Sequence, residues 1–354
     1  MDWRIPFVTF MGTTTLWFSF FSIGILSIYL KGPLVLNSLF YVSAFSARPL
    51  GALFFGRLGD LLGRKVSINL VFFLLFLGDL LVVLRIYVVS PFLIGLALGG
   101  WSSFSVFLAE SVDQMRGSWT SLVQLSVPAG LLLSLGVAIT PLTLLFPSLM
   151  SALLSIISIS LPEPTRFRTG LERHGVKALL KGVGIKAGES SNFYLFTSFS
   201  IPFLLKAGLK VGLFPILVLS VEELILMIPI GVLSDLVGKS KVMRGGTILM
   251  FSSVLVLIVS ALLKDFALTM LSFLVFGLGD TLSYAPQAAY LAELYKPEHR
   301  VTMVGLAYQI SALLSGGMTV LLTSLSLSLL GERMTFIALP LISLVFSMIS
   351  MLSI

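Results

Sequence analysis

Five ionisable side chains interrupt long apolar runs: Arg48, Asp79, Glu222, Glu223 and Asp280. An ionisable group inside hydrocarbon is costly, so each is a candidate for function by default. The carboxylates could bind and release protons, and a guanidinium is the natural grip for a carboxylate. The competing explanation is pairing within a helix bundle, and for Arg48 and the Glu222–Glu223 pair both remain open. Rings and single polar groups in the same runs, Thr13, Trp17, Tyr41, Trp101, Asn192, Tyr194, Tyr284, Gln287 and Tyr308, suit a cavity for a small polar metabolite, or simply pack helices together. The chain has no cysteine. Its two histidines, His174 and His299, fall in polar connectors. No nucleophile–base constellation or metal-ligand cluster supports an enzyme, a metal site or a cofactor.

The elements that hold these residues are membrane spans. Of 354 residues, 57% are hydrophobic and 11% charged, against about 25% charged in a soluble domain. Apolar runs of roughly 18 to 25 residues predict twelve helices, near 7–30, 35–56, 66–89, 91–112, 118–140 and 142–161, then 190–208, 211–234, 242–263, 266–292, 301–330 and 334–353. The net charge of +7 sits in short turns, which fits topology and not nucleic-acid binding. Even-numbered connectors and the amino terminus hold sixteen basic residues, Lys177, Lys181 and Lys186 among them, whereas the odd connectors hold six. Both termini are therefore expected in the cytoplasm, as an even number of spans requires. A multi-pass protein of the cell membrane, in contact with lipid and monomeric, is the expectation.

One connector stands out. ARPLGALFFGRLGDLLGRK, from Ala47 to Lys65, places Gly56, Gly59 and Gly63 beside Asp60, Arg64 and Lys65. Glycines let two helix ends approach, and the charges demand a membrane surface. Arg48 lies eight residues before this hinge, about 12 Å into the hydrocarbon at roughly 1.5 Å per residue. The pattern returns more loosely as Gly231, Asp235, Gly238, Lys239 and Lys241. Likewise AESVDQMRGSWTSLVQ, from Ala109, is echoed by AELYKPEHRVTMVGLAYQ, from Ala292, each with an acid, a basic residue and a glutamine. Two sets at corresponding places predict two pseudo-symmetric six-helix bundles, 1–161 and 189–354. Between them, 162–188 is expected to be a cytoplasmic linker. Its Val176, Leu179, Leu180 and Val183 share one helical face, as an amphipathic helix on an anionic leaflet would require.

The GxxxDxxGRK hinge resembles the signature loop between helices 2 and 3 of the major facilitator superfamily. The preceding RPLG, together with FLIGLALGG, YAPQAAYLAEL and AYQISALLSGG farther on, resembles its metabolite:proton symporter branch, which includes carriers of the shikimate, α-ketoglutarate and proline-betaine type. The resemblance implies an all-α membrane protein of twelve helices and a secondary transporter working by alternating access, with proton symport of a small organic metabolite, a carboxylate or related solute. It also implies that the residue matching Asp60 meets a helix amino terminus of the opposite half and pairs with the one matching Arg64, latching the cytoplasmic side. Charges usual in the family are replaced at four positions. Leu16 and Ser19 stand where the first helix carries acids, Trp101 follows the paired glycines of the fourth, and Pro91 replaces the basic residue at that helix's start. Coupling is thereby left to Asp79 or Asp280. The alternatives are an uncoupled facilitator, an exporter of hydrophobic compounds and a non-transporting membrane sensor.

Overall fold

The computed structural model describes residues 2–29, 34–137, 139–164 and 175–354, with side chains in the second helix described from residue 42 onward. Twelve helices follow in order: α1 (Arg4–Tyr29), α2 (Leu34–Leu61), α3 (Arg64–Val83), α4 (Ser90–Ser111), α5 (Arg116–Gly136), α6 (Pro141–Ile159), α7 (176–206), α8 (Phe214–Val237), α9 (Lys239–Leu263), α10 (Phe266–Leu294), α11 (Pro297–Leu330) and α12 (Glu332–Ser353). Ten are long and apolar enough to cross a membrane among the described residues. Their outer faces expose leucine, isoleucine and phenylalanine, which is stable only where hydrocarbon replaces water.

Within the first half, α1 packs on α5, α2 on α4 and α3 on α6; within the second, α7 packs on α12 and α11, and α9 on α10. The halves meet where α2 lies against α11 and α5 against α8. Both contacts depend on small residues. A Cβ on Gly56 would stand 2.6 Å from the Thr302 Cα, and one on Gly231 would stand 2.9 Å from the Gly117 carbonyl oxygen. The hinges that follow, Gly63 and Gly238, have φ of +111° and +105°, a region L side chains avoid. Hence the next helix can restart one residue later. Two helices break at matching places near the centre, α4 at Gly100 and α10 around Pro286.

One expected boundary moves. The stretch 176–188, expected as an amphipathic surface helix, is the first part of α7. Gly182, Gly184 and Gly188 bring its backbone against Tyr295, Ser353 and Ser350, while Val176 and Leu180 of the expected apolar face stay exposed. Lys186, counted in the sequence among connector charges, is consequently buried. The polar stretch 165–174 lies outside the described residues.

Candidate functional site: a cavity between two latched halves

At the centre, between the halves, Arg48 of α2 and Lys186 of α7 reach one cavity. Arg48 donates through Nε to Gln309 Oε1 at 2.8 Å and through a terminal nitrogen to the Tyr194 hydroxyl at 3.2 Å. Both partners belong to the opposite half. The guanidinium is also surrounded by rings, 4.8 Å from the centre of Phe45, 5.2 Å from Phe20 and 5.4 Å from Trp17. That aromatic box offsets part of the cost of removing the charge from water.

Lys186 is held differently. Its ammonium donates to Glu189 one turn along α7 and, at 3.3 Å, to Gln287 Oε1. It lies 4.3 Å from the ring centre of Tyr308 and 4.8 Å from that of Tyr284. Trp101 packs on Tyr308 at 4.4 Å between ring centres, and Gln124 donates to the Tyr308 hydroxyl at 2.6 Å and to the Tyr284 carbonyl at 3.0 Å. The cavity encloses about 30 Å³. A water needs roughly 10–15 Å³ and a metabolite several hundred, so this is a contracted arrangement of the site.

Of the residues singled out in the sequence, the structure brings Arg48, Trp17, Trp101, Tyr194, Tyr284 and Tyr308 to one cavity, with Gln287 beside it. Thr13 and Asn192 bond within their helices and neighbours instead, and the side chain of Tyr41 lies outside the described residues. Asp79 is buried away from the cavity between α3 and α1, where the Ser19 hydroxyl donates to it at 3.0 Å. Glu223 and Asp280 are buried together behind Lys186. Glu222 is half-buried against Gly277. Lys186, Glu189, Gln124 and Gln309 were not singled out as site residues. The i,i+3 Lys–Glu spacing was available as a signal for the first two, once α7 is known to start at Val176.

The face carrying both termini is closed by two matching clusters. Asp60 accepts from the Val301 and Thr302 amides, both at 3.0 Å, and from the Thr302 hydroxyl at 2.6 Å, which places it on the amino end of α11's regular helix. Asp235 does the same on α5, accepting from the Gly117 amide at 2.9 Å and the Ser118 amide and hydroxyl at 2.7 Å. A carboxylate on a helix amino terminus meets both free amides and the positive end of the dipole. Behind each sits a basic residue, Arg64 or Lys239, 3.6 Å from its aspartate. These contact Glu110 at 2.8 Å and Glu293 at 3.1 Å. Arg300 crosses to Glu110 at 2.6 Å and Arg116 to Glu293 at 3.8 Å. Lys65 contributes its backbone: with Arg64 it donates an amide to Glu163.

A sequence profile described as Major Facilitator Superfamily matches residues 192–354, and one described as Sugar (and other) transporter matches residues 10–170. The chain belongs to the major facilitator superfamily. It is 29% identical to the inner membrane metabolite transport protein YhjE of Escherichia coli K12 over 328 residues, 77% of this chain and 74% of that one. With the glycine betaine/proline/ectoine/pipecolic acid transporter OusA of Dickeya dadantii it shares 24% identity, over 58% of this chain and 52% of the relative. The structure of the proton:xylose symporter XylE bound to 6-bromo-6-deoxy-D-glucose superposes with a TM-score of 0.75 at 13% identity, covering 98% of this chain and 94% of the other, which establishes the fold. This superfamily member is thus a multi-pass membrane transporter for small molecules and not an enzyme.

Proposed function

We propose that the protein is a proton-coupled carrier of a small carboxylate-bearing metabolite, operating by alternating access in the cell membrane with both termini in the cytoplasm. The observation that carries this reading is the convergence of Arg48 and Lys186, from opposite halves, on one cavity walled by aromatic rings. Arg48 is held by a neutral amide and a phenol, and Lys186 by a neutral amide as well as by Glu189. A bidentate carboxylate can displace such partners, because charge-assisted bonds are roughly twice as strong as neutral ones. The solutes in OusA's name, glycine betaine, proline, ectoine and pipecolic acid, all bear a carboxylate. Alternating access is supported by two equivalent latches on one face, and the cytoplasmic placement of that face by its excess of basic connectors.

Reconstitution in liposomes tests this reading. A panel of small carboxylates is added outside while internal pH is followed, and accumulation with proton entry is the expected result. Failure of every carboxylate to accumulate would end the proposal. One observation favours a second reading, movement of amphiphilic compounds: an apolar groove of about 330 Å³ lined by Val42, Phe45, Leu313 and Val320 shares Tyr194 with the central cavity. Lipophilic anions in the same panel distinguish the two.

A further inference from the structure

The second half buries more charge than substrate binding needs. Glu223 of α8 and Asp280 of α10 are 3% and 1% exposed, and their side chains are neighbours. Glu223 Oε1 and Asp280 Oδ1 have no donor from the protein. Two neighbouring buried carboxylates with oxygens that no donor meets do not both ionise, since neither ion supplies a donor and their repulsion is unscreened. The pair therefore holds at least one proton in this arrangement. Glu223 also occupies a telling position. It lies twelve residues before the latch aspartate Asp235, as Arg48 lies twelve before Asp60, so equivalent places in the two halves carry an acid and a cation.

Charge balance gives the pair a role. Arg48 and Lys186 are two cations; Glu189 and a singly protonated Glu223–Asp280 pair supply two negative charges, and the cluster is neutral. Tyr284 and Tyr308 face it as neutral phenols, and Glu222, half-buried at its edge, acts on Glu223 through space. A monoanionic substrate bound at Arg48 and Lys186 leaves one uncompensated negative charge, which a second proton on the pair cancels. We propose that Glu223 and Asp280 form the proton-binding site of this carrier, taking one additional proton from water with each monoanion and returning it to water when the anion leaves. Unlike Asp79, this pair is coupled to the cavity directly, through Lys186. The assignment deepens the symport reading and rests on it for its role.

Infrared difference spectroscopy of the reconstituted protein, stepped in pH with no solute present, tests the site itself. A protonated-carboxyl carbonyl band that shifts in D2O is expected in the wild type. It should lose intensity in Glu223→Gln and in Asp280→Asn, persist in Asp79→Asn apart from any separate Asp79 component, and return in Asp280→Glu. Thermal unfolding of each variant establishes that it is folded, and either amide variant alone suffices. A band at full intensity in both E223Q and D280N, or one lost only in D79N, overturns the proposal. Because no solute is present, that failure leaves carboxylate transport standing, while a silent solute panel leaves the spectroscopic result standing.

Discussion

Thr302 clasps Asp60 twice, donating its amide at 3.0 Å and its hydroxyl at 2.6 Å to the same carboxylate oxygen across the boundary between the halves. Hydrogen bonds to a charged acceptor contribute about 1.5–3 kcal/mol each, and in the proposed cycle these break when the terminal face opens. Asp60→Ala should therefore shift the population toward conformers open on that face by at least tenfold, since ~1.4 kcal/mol suffices for that. The natural chain has no cysteine, so a single reporter, Ala312→Cys in the cavity wall, can be labelled with an impermeant maleimide from the terminal side. Equal labelling rates with and without Asp60 would remove the latch.

The two latches are unequal in burial. Arg64, Asp60 and Glu110 are almost fully buried, whereas Lys239 is 18% and Glu293 38% exposed. Exposed ion pairs are screened by salt and contribute little, about 0–1 kcal/mol. Asp235→Ala should accelerate the same labelling less than Asp60→Ala does, and the wild-type rate should rise with salt through the weaker cluster. Reversed ranking of the two variants would contradict this.

Much of this arrangement is readable from the sequence because it depends on local chemistry. Glycine–aspartate–basic hinges and the paired Glu–Arg strings mark the latches, since each element is short and its charges can tolerate only a membrane surface. Register between distant helices is not readable in that way. Nothing local in Lys186 distinguishes a connector lysine from a buried one; its burial follows from Gly182, Gly184 and Gly188 bringing α7 onto α11 and α12. Similarly, Asp79 and Asp280 look alike in their apolar runs, and only packing sends one to Ser19 and the other to Glu223 and Lys186.

Lys186 and Glu189 form a buried pair, 5% and 4% exposed. Removing one partner of such a pair costs about 3–5 kcal/mol because the other is left as an uncompensated buried charge, while removing both is far milder. Lys186→Ala and Glu189→Ala should each lower the midpoint of thermal unfolding, and the double variant should recover most of the loss. If the cation grips substrate, the recovered double variant still fails to accumulate carboxylates. Transport at wild-type levels by the double variant would assign Lys186 to folding alone.

Close approach can be separated from charge at the hinge. A Cβ on Gly56 would stand 2.6 Å from the Thr302 Cα and 3.0 Å from its amide nitrogen, both backbone atoms that cannot move aside without the helix. Gly56→Ala should push α2 from α11 and lengthen the Asp60–Thr302 bonds, raising labelling of the A312C reporter in the direction of D60A. Since both substitutions act on one contact, combining them should add little beyond the larger single effect. Additive increases would mean that Gly56 spaces the helices independently of the carboxylate, and that the latch is Asp60 and Arg64 without the close packing beneath them.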